Sequence, residues 1–143
     1  MSDMRAADYK VPGDFRHWVG DKAEDHIGPF FFKEDGTGAP RTAFRVEARH
    51  CNAHDTVHGG VLMAFADYTL CLGANGGTQQ SVITVSCNNA FVAPAYNDEL
   101  VEGHCEVIKR GRSLVFVRCE LKVDDRVILS SNGVVKLIVP KPV

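Results

Sequence analysis

No stretch of this 143-residue chain reaches the ~20 consecutive apolar residues that a membrane-spanning helix requires, because Asp67 interrupts the best candidate. An excess of either charge is also missing. Sixteen Lys and Arg against eighteen Asp and Glu leave a formal charge of −2, which argues against nucleic-acid binding by bulk electrostatics. There is no C-x-x-C pair, and the five cysteines (Cys51, Cys71, Cys87, Cys105, Cys119) are odd in number. Reduced core thiols in a cytoplasmic protein are therefore expected, in preference to a disulfide framework or a zinc site. Asp3, Arg5, Asp8 and Lys10 come before any apolar run, a beginning unlike a secretory leader. Repeats and low-complexity tracts are absent. The length suits one domain with a real core and is short for two.

What is present centres on one carboxylate. Asp67 is the only charged residue between Gly59 and Gly76. On a helix its neighbours three and four places away are Met63, Ala64, Leu70 and Cys71, all apolar. A helix apolar nearly all round is a buried helix, and a buried carboxylate needs a partner or a purpose. His58-Gly59-Gly60 opens this helix and Asn75-Gly76-Gly77 gives it a C-terminal cap.

The rest of the chain reads as strand. Residues 1–27 are polar and form an N-terminal extension, with a short helix predicted within Asp14–Asp25, resting on Phe15 and Trp18. The main domain, 28–143, opens with strands at Phe30–Phe32 and Thr42–Ala48, separated by the turn signal Glu34–Gly38. After the irregular stretch Arg49–Val57 and the helix, four longer strands are predicted. They run over Ser81–Ala93 (ended by Pro94), Leu100–Lys109, Ser113–Val123 and Val127–Val139 (closed by Pro140). Tight turns at Arg110-Gly111 and Asp124-Asp125 suggest a meander of antiparallel hairpins. Six strands must wrap one all-round apolar helix, an α+β arrangement.

Asn52-x5-His58-Gly59-Gly60-x6-Asp67 resembles the motif of the PaaI-type (phenylacetic-acid-degradation) acyl-CoA thioesterases, a hotdog-fold group that includes some 4-hydroxybenzoyl-CoA thioesterases. Thr84–Pro94 resembles that family's strand after the helix, and Lys109–Leu114 its basic hairpin. The resemblance spans residues 41–139. One departure is Asp55, which stands where the family commonly has glycine. Asp tolerates turn conformations better than most residues, so the loop should still form.

The resemblance implies a role for each site residue. The Gly59 N–H would bind the developing oxyanion at the positive end of the helix dipole, and glycine at 59 and 60 would let a thioester approach the backbone. The plainer reading of this pair is tight helix packing. Asp67 would be general base or nucleophile, since a desolvated carboxylate is a stronger base than a solvated one. Its plainer reading is a structural carboxylate satisfied by hydroxyls. Asn52 would position the carbonyl or the water, or else simply form the loop. Thr84 would hold the attacking water, with Ser86 on the same strand face as a fallback. His58 is expected to order the turn through its ring, with catalytic help left open. Lys109, Arg110 and Arg112 would bind coenzyme A phosphates, or remain solvated surface charges.

His50, His54 and His58 are spaced by four, but Asn52, Asp55 and the double glycine argue against one continuous helix, so no metal site is expected. Gly59 and Asp67 lie about 12 Å apart by helix rise, too far to act on one carbonyl. The family's solution is a site shared between subunits. The expectation is thus a cytoplasmic thioesterase for a small acyl- or aryl-CoA, a homo-oligomer (dimer or tetramer) without cofactor and without nucleic-acid or membrane partners. The alternative is a non-catalytic acyl-CoA-binding hotdog protein.

Overall fold

Alternation of polarity over Leu114–Val123 turns Val115, Val117, Cys119, Leu121 and Val123 inward and leaves their neighbours exposed. The same rule shapes the whole sheet in the computed structural model, which describes residues 3–139. Seven strands take part: β1 (Arg16–His17), β2 (Phe31–Lys33), β3 (Arg41–Arg45), β4 (Val82–Phe91), β5 (Leu100–Arg110), β6 (Leu114–Val123) and β7 (Arg126–Leu137). They form one antiparallel sheet in the order β1-β2-β3-β5-β6-β7-β4. A short helix, α1 (Lys22–Ile27), precedes β2, and the long helix α2 (Gly59–Asn75) packs against β4, β5, β6 and β7. No helix among the described residues is long and apolar enough to cross a membrane.

The core lies between α2 and the sheet. Phe30, Phe44, Phe65 and Tyr68 form an aromatic cluster, with Phe44 and Phe65 rings 4.8 Å apart. Each such buried ring contributes on the order of 1.5–3 kcal/mol by leaving water. The fit is closest at Gly73, where an added Cβ would overlap Cys105 Sγ and Cβ. Gly73→Ala is therefore expected to destabilise the fold by ~1–3 kcal/mol through overpacking, read as a lower Tm. An unchanged Tm would mean that α2 and β5 are not held as closely as described.

Several expectations need correction. The sheet has seven strands, not about six, because the segment before residue 28 adds β1 to the edge of β2. That segment also has its own small core, in which Phe15, Val11 and Ala6 pack with Phe31 and Ala43. Its helix begins only after Asp21, whose side chain accepts the Glu24 N–H, so Phe15 and Trp18 lie outside it, and the Trp18 ring meets Phe32 at a tilt. The four long strands are not a continuous meander. β5 pairs with β3, so β4 takes the far edge beside β7, and only β5, β6 and β7 follow one another as hairpins. Pro140 lies outside the described residues. Finally, α2 is not buried all round: Met63 is 43% exposed, and Ala64, Asp67, Cys71 and Asn75 continue a half-open stripe along the same side.

Candidate active site

The N-terminus of α2 is shaped by its own sequence. His58 is the N-cap, and its Nδ1 accepts the Gly60 N–H at 2.9 Å, while its carbonyl accepts from Val61 and Leu62. That leaves the Gly59 N–H without a partner among the described residues, in the first turn where the helix dipole is positive. Phe91 lies against Gly59, with ring atoms 3.2 Å from where a Cβ would stand. The Gly60 N–H is spent on His58, and its missing Cβ makes room for that ring.

The loop before the helix is held by Asn52. Its Oδ1 accepts from His54 N–H at 2.9 Å and Thr56 N–H at 3.2 Å, and its Nδ2 donates to Thr56 Oγ1. Asp55 sits at φ +60°, the left-handed conformation that favours glycine and that Asp accepts. The three histidines do not share a helical face. A single 3₁₀ turn, Ala48–His50, is followed by a bridge from Cys51 to Val57. The buried His50 uses both ring nitrogens, on Glu47 N–H and Gly28 O, and burial pushes its pKa down.

Asp67 faces a cleft of about 600 Å³. Thr84 Oγ1 donates to Asp67 Oδ1 at 2.5 Å, so α2 and β4 jointly position the carboxylate. Cys71, one helical turn further on, sits 3.2 Å from Thr84 Oγ1 and 3.9 Å from Asp67 Oδ1. Burial, and then the charge of Asp67, pushes its thiol up to about 12, so it is a neutral neighbour. The sequence reading grouped it with the core thiols, although its i+4 spacing from Asp67 was the available signal. Ser86 does not share the Thr84 face. A bulge between them pairs Thr84 with Val135 and Ser86 with Val134, which turns Ser86 to the outer surface beside Ile108 and Phe116.

The basic hairpin lies at the other end of α2. Arg110 Nη1 donates to Ala74 O at 2.8 Å, closing the helix C-terminus, whereas Lys109 and Arg112 are exposed. Gly59 and Asp67 are eight residues apart on one continuous helix, so a single subunit presents them two turns apart.

A long helix held in a curved antiparallel sheet, with a carboxylate on its open side, is the layout of a hotdog-fold thioester hydrolase. The chain belongs to the thioesterase superfamily, whose pattern it matches over residues 54–130. It is 31% identical over 115 residues to a Pseudomonas aeruginosa protein named "Putative esterase PA0474", covering 79% of this chain and 86% of that one. Its fold is similar to Escherichia coli PaaI from the phenylacetic acid degradation operon (TM-score 0.76, 17% identity, 85% of this chain and 88% of the other). It is also similar to the structure of a hypothetical thioesterase protein with coenzyme A from Streptococcus pneumoniae (TM-score 0.70, 14% identity, 79% of this chain and 88% of the other).

Proposed function

We propose that this chain is a cytoplasmic acyl-CoA thioesterase acting on a small acyl- or aryl-CoA, with Asp67 as general base. The observation that carries the reading is the Thr84 hydroxyl donating to Asp67 on the wall of an open cleft. A water oxygen attacks the thioester carbonyl carbon as one of its protons passes to Asp67. The resulting oxyanion is held by the Gly59 N–H. When the carbonyl re-forms, the C–S bond breaks, the sulfur leaves with its electron pair, and the thiolate takes up the proton. Thr84 aligns Asp67, Asn52 fixes the loop beside the helix N-terminus, and His58 keeps Gly60 from competing for the oxyanion. Lys109 and Arg112, with the remaining donors of Arg110, meet the phosphates of coenzyme A, which belongs to the substrate. The coenzyme A in the S. pneumoniae structure supports that part of the reading. The chemistry needs no metal and no redox cofactor.

The site is proposed to be shared between subunits of a homo-oligomer, dimer or tetramer. Two features support this beyond the spacing of Gly59 and Asp67. Among the described residues β4 pairs only with β7, so its other edge is free along ten residues, and Ile83, Val85 and Phe91 on it are more than half exposed. The half-open stripe of α2, with Met63 and Ala64 beside Asp67, is apolar surface of the kind a second copy covers.

Short, medium and aryl-CoA thioesters, assayed with a thiol-trapping dye, test the activity. Turnover of at least one is expected, and it should survive exhaustive chelation. Binding without release of thiol would favour the non-catalytic acyl-CoA-binding alternative, and loss of activity restored by zinc would revive the three-histidine site.

A further inference from the structure

The Asp67 cleft has a wall that the hydrolytic scheme does not use. The segment before residue 28 contributes Asp21 and Glu24 to it, opposite Asp67, Tyr68 and Cys71 of α2. This segment is firmly placed. Asp21 Oδ1 accepts the Glu24 N–H at 3.0 Å, Gly28 N–H donates to Glu24 O at 2.7 Å, and His17 Nε2 meets Asp25 Oδ1 at 2.6 Å. The Arg49 guanidinium holds the carbonyls of His26 and Gly28 from the other side. Glu24 is thus a half-buried carboxyl inside the cleft rather than a free surface charge.

The surroundings of Glu24 are acidic or neutral. Asp21 and Asp25 lie on its own segment, and Asp67, Tyr68 and Cys71 on α2. Val82 and Thr84, which line the cleft from β4, carry no charge. Among the described residues no Lys, Arg or His lines the cleft, and His17 is engaged with Asp25. A second observation points into the same space. Tyr68 Oη is buried, lines the cleft, and has no hydrogen-bond partner among the described residues, a costly state that a bound group would relieve.

We propose that Glu24 is a positioning residue of the Asp67 site, sharing the cleft with Asp67 as the un-ionised acid so that the cleft presents one negative charge fewer to the thioester while it is attacked. The proposal rests on the reading of Asp67 as the base. Burial pushes the Glu24 carboxyl up to about 8, helped by the charge of Asp21 and a hydrogen bond with its side chain, and then by the charges of Asp67 and Asp25, so the acid form prevails at neutral pH. A charge on Glu24 would add to those of Asp21 and Asp67 in one enclosure, and keeping its proton avoids that cost. When Glu24 loses its proton, the oxyanion must form in a cleft that carries one negative charge more. Hydrolysis should then fall with a single ionisation as the pH rises past about 8.

The test combines a titration with a rate profile. In protein carrying ¹³C-carboxyl glutamate, one resonance is expected to titrate near pH 8. It should be absent from Glu24→Gln and move to lower pH in Asp67→Asn, where a neighbouring charge is gone. The alkaline fall in kcat should coincide with that titration in the parent and vanish in Glu24→Gln. A Glu24 resonance titrating near the ordinary ~4.3 overturns the proposal. So does one that Asp67→Asn leaves in place, or an alkaline fall that persists in Glu24→Gln. If the titration behaves as expected in a protein that hydrolyses no thioester, the coupled pair is supported and the hydrolase reading alone falls.

Discussion

Asp67→Asn is expected to keep the fold and to lose ~10²–10⁴-fold in the rate of thioester hydrolysis, the usual contribution of a positioned base. The substitution is nearly isosteric, and an amide oxygen can still accept the Thr84 hydroxyl that holds the carboxylate. What disappears is the capacity to take a proton from water. Thermal denaturation alongside a thiol-release assay separates the two effects. The expected result is an unchanged Tm with collapsed kcat, and near-parental turnover in a well-folded variant would end the case for Asp67 as base.

Mixing two inactive variants is expected to restore activity that neither has alone. Gly59→Pro deletes the one first-turn N–H left free by the His58 cap, at a helix position where proline is otherwise tolerated. If a site takes its oxyanion donor from one subunit and Asp67 from another, a mixed dimer of Gly59→Pro and Asp67→Asn has one site with both defects and one with neither. Random exchange then returns up to about a quarter of the parental activity, a consequence of two-fold pairing. If each subunit carried a complete site, every site in the mixture would keep a defect. Continued inactivity after demonstrated subunit exchange would refute the shared site.

Much of this architecture was legible in the sequence because its signals are local. The capping residues around 59–75 and the two-residue period of the later strands depend on neighbours close in the chain, and both appear near their expected limits. What was less legible depends on distant partners. Nothing near β4 says that it will pair with β7 rather than β5; that follows from β3 having claimed the edge of β5. The burial of α2 was over-read for a related reason. The apolar pattern around Met63 and Ala64 specifies burial without saying by what, and this chain leaves that side half open. Around the candidate site, Asp67 and Thr84 were each singled out in the sequence, but Thr84 was expected to hold the water and its contact with Asp67 was not foreseen. Glu24 was not singled out, because its place in the cleft depends on how a polar N-terminal segment docks more than forty residues upstream in sequence. Arg110 was read as a phosphate ligand or a solvated surface charge, since its contact with the end of α2 is set by hairpin geometry.

The irregularity at Val85 acts as a parity switch in β4. Before it, even-numbered residues such as Thr84 face the helix; after it, odd-numbered ones such as Cys87 do. Distance along the chain therefore ceases to tell the side of the sheet, and two ways of aligning this strand part company. Counting forward from the end of α2 and counting back from Pro94 agree on who faces the helix only when both chains carry the extra residue. Leaving Val85 uncounted when the strand is aligned exchanges the assigned inside and outside of half of it. A single-residue gap here outweighs many substitutions elsewhere.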